Sequence, residues 1–95
     1  MYYVYMLKSF KKIKGWIYVG CTSNLEKRLQ EHQEGKCYAT RRYLPVYFVY
    51  YEAYASKEDA YTREQKLKYH GSSLQKLRQR LRMSLSTEGL GENTD

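Results

Sequence analysis

The sequence predicts an α+β fold in the order β-β-α-β-α-α, and three observations carry that expectation. Short β-branched and aromatic runs at 2–7 and 16–20 flank a lysine-rich segment containing Gly15. A third run of the same kind fills 46–54. Two capping signatures, Ser23-Asn24-Leu25-Glu26 and Ser56-Lys57-Glu58-Asp59, each open a stretch with helical spacing.

Taken in order, YYVYML and WIYVG should pair as an antiparallel hairpin across the loop KSFKKIKG. At the first capping signature, Ser23 can accept from the amide of Glu26 while the glutamate reaches back. A helix should then run from Leu25 to about Gln33 and stop at Gly35. Residues 36–44, KCYATRRYL, show no period and read as a basic loop. VYFVYYEAY, after Pro45, is nearly continuous in apolar and aromatic residues, so it is expected to be a strand buried on both faces and central in the sheet. The second capping signature opens a helix to about Tyr69, ending before Gly71. Ser72-Ser73-Leu74-Gln75 opens a third, with Leu74, Leu77 and Leu81 spaced for one buried stripe. From residue 84 the chain turns polar, so 1–83 is expected to form a single domain and 84–95 a flexible acidic tail.

A chain of 95 residues has room for one small domain. Its charge is unevenly placed: residues 1–83 hold all 17 Lys and Arg against 7 acids, giving +10, while 84–95 hold three acids and no base. Clustered positive charge points first to nucleic acid, because displacing counterions from phosphates rewards it. The opening MYYVYMLK lacks the pattern of a secretory leader, and no window approaches the length of an apolar membrane span, so the expected location is the cytoplasm, with no membrane partner. Cys21 and Cys37 form no CxxC pair and are expected to be free thiols. Together with His32 and His70 they match no zinc-binding spacing.

Charged residues on apolar helix faces are more informative. At about 100° per residue, Leu25 and Leu29 set the inward direction of the first helix, and His32 then points within roughly 20° of Leu25, with Arg28 roughly 60° away. On the second helix Glu64 falls inside the arc of Ala60, Tyr61 and Leu67. Singly, each reads as a structural partner. Together, a cationic donor, an imidazole and a hard oxygen ligand are the parts that metal-assisted phosphoester hydrolysis needs.

The ordered set Tyr3-Val4-Tyr5, Tyr18-Val19-Gly20, Arg28 with His32 four residues on, and Glu64 resembles the GIY-YIG nuclease superfamily. Tyr50-Tyr51-Glu52-Ala53 and the stretch 57–68 look like the third strand and glutamate-bearing helix of its small stand-alone branch. The resemblance spans residues 2 to about 82. It implies a small three-stranded, largely antiparallel sheet flanked by three helices, with the site on one face of the sheet, and hydrolysis of DNA phosphodiesters with one magnesium or manganese ion. By position, the catalytic set is Tyr5, Tyr18, Arg28, His32 and Glu64, with Glu64 the metal ligand and Gly20 the second-motif glycine at a phosphate-approach position. Tyr5 is the favoured acceptor of the proton from the attacking water, Arg28 the donor to phosphate oxygens, and Tyr18 and His32 orienting groups. Arg41, Arg42, Lys76, Arg78, Arg80 and Arg82 are expected to contact substrate phosphates.

The sequence departs from the superfamily pattern at three places. Tyr3 replaces the name-giving glycine of the first motif, Cys21 stands where the repair branch has a lysine, and Lys76 where that branch has a late asparagine. Excision repair is therefore disfavoured. The expected partner is DNA, with RNA and a specificity-supplying protein left open, acting as a monomer or weak dimer with little sequence preference. A non-catalytic basic nucleic-acid-binding module on the same scaffold is the alternative function, and a basic protein-interaction domain a third.

Overall fold

The computed structural model describes residues 1–86. Strands β1 (Tyr2–Ser9) and β2 (Tyr18–Thr22) form the hairpin, followed by α1 (Leu25–Gln33), a 3₁₀ turn (Arg41–Tyr43), β3 (Val46–Tyr54), α2 (Lys57–Tyr69), α3 (Gly71–Arg80) and a short α4 (Arg82–Ser86). The expected α+β architecture is present: an antiparallel three-stranded sheet with flanking helices. Residues 84–86, expected to begin the tail, continue α4. The remainder of that expected tail, 87–95, lies outside the described residues. Among the described residues no helix is long and apolar enough to cross a membrane.

One expectation is corrected. The strand order is β2-β1-β3, so β1 is central and β3 lies at an edge. β1 presents an unbroken buried run from Val4 to Ser9, whereas most of β3 is only partly covered. The physical reason is its tyrosines, whose rings count as apolar but whose hydroxyls need polar partners or water. Tyr50 and Tyr54 donate to Glu52 at 2.6 and 2.5 Å, and Arg63 of α2 grips the same carboxylate from Nε and Nη2, each at 2.9 Å.

Register decides which side chains share a face. Tyr5 pairs with Gly20 and Leu7 with Tyr18, so these four lie on one face, while Val4, Met6, Val19 and Cys21 lie on the other. Between β1 and β3, Met6 pairs with Tyr50 and Leu7 with Phe48, a bulge at Val49 that brings Phe48 edge-on to Tyr5 at 5.5 Å. α1 covers the first face through Leu25 and Leu29. α2 and α3 cover the second through Ala60, Leu67 and Leu77, with Leu74 and Leu81 packed beside them as expected.

The helices begin where sequence placed them, with small corrections. Asn24, not Ser23, caps α1: its side chain accepts from the Lys27 amide at 3.0 Å, and Thr22 Oγ1 fixes the Asn24 amide at 3.1 Å. Ser56 caps α2 by accepting from the Asp59 amide. α3 starts at Gly71, directly after the His70 that ends α2, and its stripe is otherwise as read.

The Glu52 network joins β3 to α2 through charge-assisted bonds in a part-buried region. Glu52→Gln keeps the shape and removes the charge, and should cost about 1.5–3 kcal/mol of stability, read as a lower denaturant midpoint at unchanged slope. An unshifted midpoint would mean that water screens the network.

Candidate active site

The site grows from the inward face of α1. Its helical spacing delivers His32 into the sheet, where it is fully buried. His32 Nε2 lies 2.8 Å from the Tyr5 hydroxyl and Nδ1 lies 2.8 Å from Thr40 Oγ1. Arg28, one turn earlier, donates from Nε to the Tyr5 oxygen at 3.2 Å and from Nη1 to Glu31 at 3.1 Å.

The polarity of this chain follows from its ends. A guanidinium can only donate, so the Tyr5 oxygen accepts from Arg28 and sends its own proton to His32 Nε2. The neutral ring then carries its proton on Nδ1 and donates to Thr40, whose hydroxyl donates onward to the Cys37 carbonyl at 3.4 Å. Burial, and after it the Arg28 charge, hold the His32 imidazole down at about 4, so the ring is neutral near pH 7. Burial pushes the Tyr5 phenol far above its usual range, and the Arg28 hydrogen bond opposes this only in part.

Gly20 faces this chain from β2. A Cβ on it would sit 2.5 Å from Tyr5 Cζ, so the missing side chain is the space the phenol occupies. The expected phosphate-approach role is corrected accordingly: the volume over Gly20 is filled by protein.

Tyr18 stands beside the chain but reaches the surface. Its ring is 6.3 Å from that of Tyr5 and 5.3 Å from that of His32, and the Cys37 thiol donates to its hydroxyl at 3.9 Å. Lys68 of α2 places Nζ 5.6 Å from the Tyr18 ring centre and 3.1 Å from Glu64 Oε2. Burial and Cys37 push the Tyr18 phenol up, and the Lys68 charge pulls it the other way.

Glu64 belongs to the helix on the opposite face from Tyr5, Tyr18 and His32, so the residues are not gathered on one face as expected. β2 is an edge strand, and Lys68 passes around that open edge to link Glu64 with Tyr18. Glu64 is 9% exposed and its charge raises the Cys21 thiol after burial does, which sets it behind β2. No cluster of three His, Cys, Asp or Glu side chains occurs among the described residues, including the nominal zinc set. A single carboxylate that spends one oxygen on a lysine retains acceptor capacity and suits an ion that keeps most of its water, as magnesium does.

The predicted phosphate contacts are scattered. Arg41 donates to the Gly35 carbonyl at 3.1 Å and lies over the exposed Tyr38 ring, while the Arg42 carbonyl accepts from Lys11. Arg78 donates to the Gly15 carbonyl at 3.2 Å, Arg82 is exposed at the start of α4, and Lys76 and Arg80 share a cleft with Arg63. Thr40 and Lys68 are the residues in contact with the candidate site that sequence reasoning missed. Lys68 had a signal, its i,i+4 spacing from Glu64. Thr40 had none, because its contact with His32 depends on how the 36–44 loop folds back.

An unfolded histidine titrates near 6.5 and His32 in the fold at about 4. Between these values the unfolded chain binds more protons, so stability must fall as pH drops from about 6.5 toward 4, by up to roughly 3 kcal/mol. Denaturant unfolding between pH 7.5 and 5 should show this slope in the native protein and a flatter one in His32→Gln. Equal slopes would contradict a neutral buried ring.

Comparison with known proteins places the chain in a family. UPF0213 proteins of Streptococcus pyogenes serotypes M3, M1 and M28 are each 41% identical to this chain over 76 residues, covering 79% of it and 79% of their own length. No solved structure matches. The family model described as the GIY-YIG catalytic domain matches residues 1–78, which contain Tyr5, Tyr18, Gly20, Arg28, His32 and Glu64, and the chain therefore belongs to the GIY-YIG family.

Proposed function

We propose that this protein is a metal-dependent endonuclease that hydrolyses DNA phosphodiester bonds with little sequence preference, its catalytic unit formed by residues 1–83 and acting in the cytoplasm. The observation that carries this reading is the junction at the edge of β2. There a buried carboxylate, a lysine, a surface-reaching phenol and an arginine anchored on a buried phenol form one continuous set of contacts.

The roles follow from what each group can do. Glu64 is the residue to hold a magnesium or manganese ion, which when bound supplies charge to a phosphate oxygen and lowers the cost of ionising water. Arg28 already has Nε fixed by Tyr5, so its remaining donors are oriented for the charge that builds on phosphate oxygens. Water oxygen bonds to phosphorus, the bond to the leaving alkoxide breaks, and the water proton passes to a phenolate.

That phenolate is assigned to Tyr18, a change from the expectation that favoured Tyr5. The Tyr5 hydroxyl is buried, accepts from Arg28 and donates to His32, so it has no lone path to a water molecule. Tyr18 reaches the surface and has the Lys68 charge beside it. Lys68 also supplies a cation that the Cys21 departure had removed from the strand, reaching the site from α2 instead. A binding module gains nothing from a carboxylate facing its polyanion, which is what ranks the non-catalytic alternative second.

Three substitutions test these roles on a panel of labelled DNA and RNA substrates with magnesium, manganese or chelator. Glu64→Gln should lose cleavage by orders of magnitude while binding holds or strengthens. Tyr18→Phe should fold normally and lose about 10²–10⁴ in rate. Tyr5→Phe should lose about 1–3 kcal/mol of stability because it strands His32 Nε2 in the interior and takes away the acceptor of Arg28 Nε. Chelator-insensitive cleavage by pure Glu64→Gln would refute the metal assignment, and full activity in Tyr18→Phe would refute the base.

A further inference from the structure

A cleft of about 220 Å³ opens between α2 and α3, lined by Arg63, Ser73, Lys76, Leu77 and Arg80. Its α3 wall is one helix face, since positions 73, 76, 77 and 80 follow i, i+3, i+4, i+7 spacing. Leu77 forms the floor and packs into the core, so the cleft is part of the folded framework.

The charges in this cleft are unevenly committed. Arg63 spends Nε and Nη2 on Glu52, which fixes the guanidinium and leaves the Nη1 edge without a hydrogen bond among the described residues. Among the described residues Lys76 and Arg80 make no ion pair and no carboxylate lines the cleft. A fixed planar donor, a hydroxyl and two cations with no ion pair among the described residues, set around a concave space, match the needs of a phosphate group.

Arg63 and Glu64 are consecutive on α2, so their side chains leave the helix about 100° apart. Glu64 goes to the edge of β2 and Arg63 to β3 and the cleft. We propose that the α2–α3 cleft is a second phosphate site, which anchors the sugar–phosphate backbone of nucleic acid outside the point of cleavage. This rests on the nuclease reading above, and adds that α2 touches substrate on both flanks. It also singles out Lys76 and Arg80, with Arg63 and Ser73, from the basic residues of α3. Arg78, held by the Gly15 carbonyl, is not part of it.

The test uses the full chain carrying Glu64→Gln, so that binding is measured without cleavage. Amide resonances of Ser73, Lys76 and Leu77 should shift on titration with inorganic phosphate and with a duplex of arbitrary sequence. Adding Lys76→Gln and Arg80→Gln should weaken duplex binding and make the log-log dependence on salt shallower by about 0.9 for each phosphate that is no longer neutralised. Arg78→Gln serves as the charge control and should change the slope less. Ser73→Ala should weaken binding without changing the slope. Shifts with inorganic phosphate alone, with duplex affinity unaffected by the double substitution, would identify a free-phosphate site and overturn the anchoring role. Equal effects from Arg78→Gln and the double substitution would overturn the cleft as a site, leaving only general surface charge. A parent protein that binds no nucleic acid would overturn this inference together with the nuclease reading, whereas parent binding unchanged by the cleft substitutions overturns this inference alone.

Discussion

The buried hydrogen-bond chain from Arg28 through Tyr5 and His32 to Thr40 is the constraint on which the rest of the site depends. Polar groups removed from water must find partners, and here every member finds one only if all donors point the same way. Arg28 sets the direction because it has no acceptor to offer. The consequences spread outward: Gly20 must lack a side chain to admit the Tyr5 ring, Phe48 must be brought round by the bulge to close its edge, and the 36–44 loop must fold back to deliver Thr40.

That chain also separates two tyrosines the sequence presents as a pair. Tyr5 is held as a neutral donor in the interior and serves to aim Arg28. Tyr18, one strand away and on the same face, keeps contact with solvent and with a cation. The division is possible because β2 is short and lies at the sheet edge, where a lysine from the far face can pass around it. A site built wholly on one face would have had to place its carboxylate against the same buried chain, at a larger desolvation cost.

What was legible in the sequence came from period and spacing. The bounds of α1 and β3, and the inward turn of His32 and Glu64, follow from 100° per residue and from apolar runs. Strand order was not legible, because a tyrosine-rich strand and a buried strand look alike until the hydroxyls are assigned partners. The cap moved from Ser23 to Asn24 because both are good caps, and Thr22 settled the choice by binding the Asn24 amide. The bulge at Val49, the Thr40 contact and the reach of Lys68 around β2 are long-range events with no local signature.

The direction of the buried chain is tested most directly by the tautomer of His32, read from long-range proton–nitrogen couplings of its ring as pH is lowered. A guanidinium at the head of the chain requires a neutral ring with its proton on Nδ1 and Nε2 accepting from Tyr5, persisting until pH approaches about 4. A ring protonated on Nε2, or one that titrates near 6.5 like a free histidine, would contradict that direction and with it the separate roles given to Tyr5 and Tyr18.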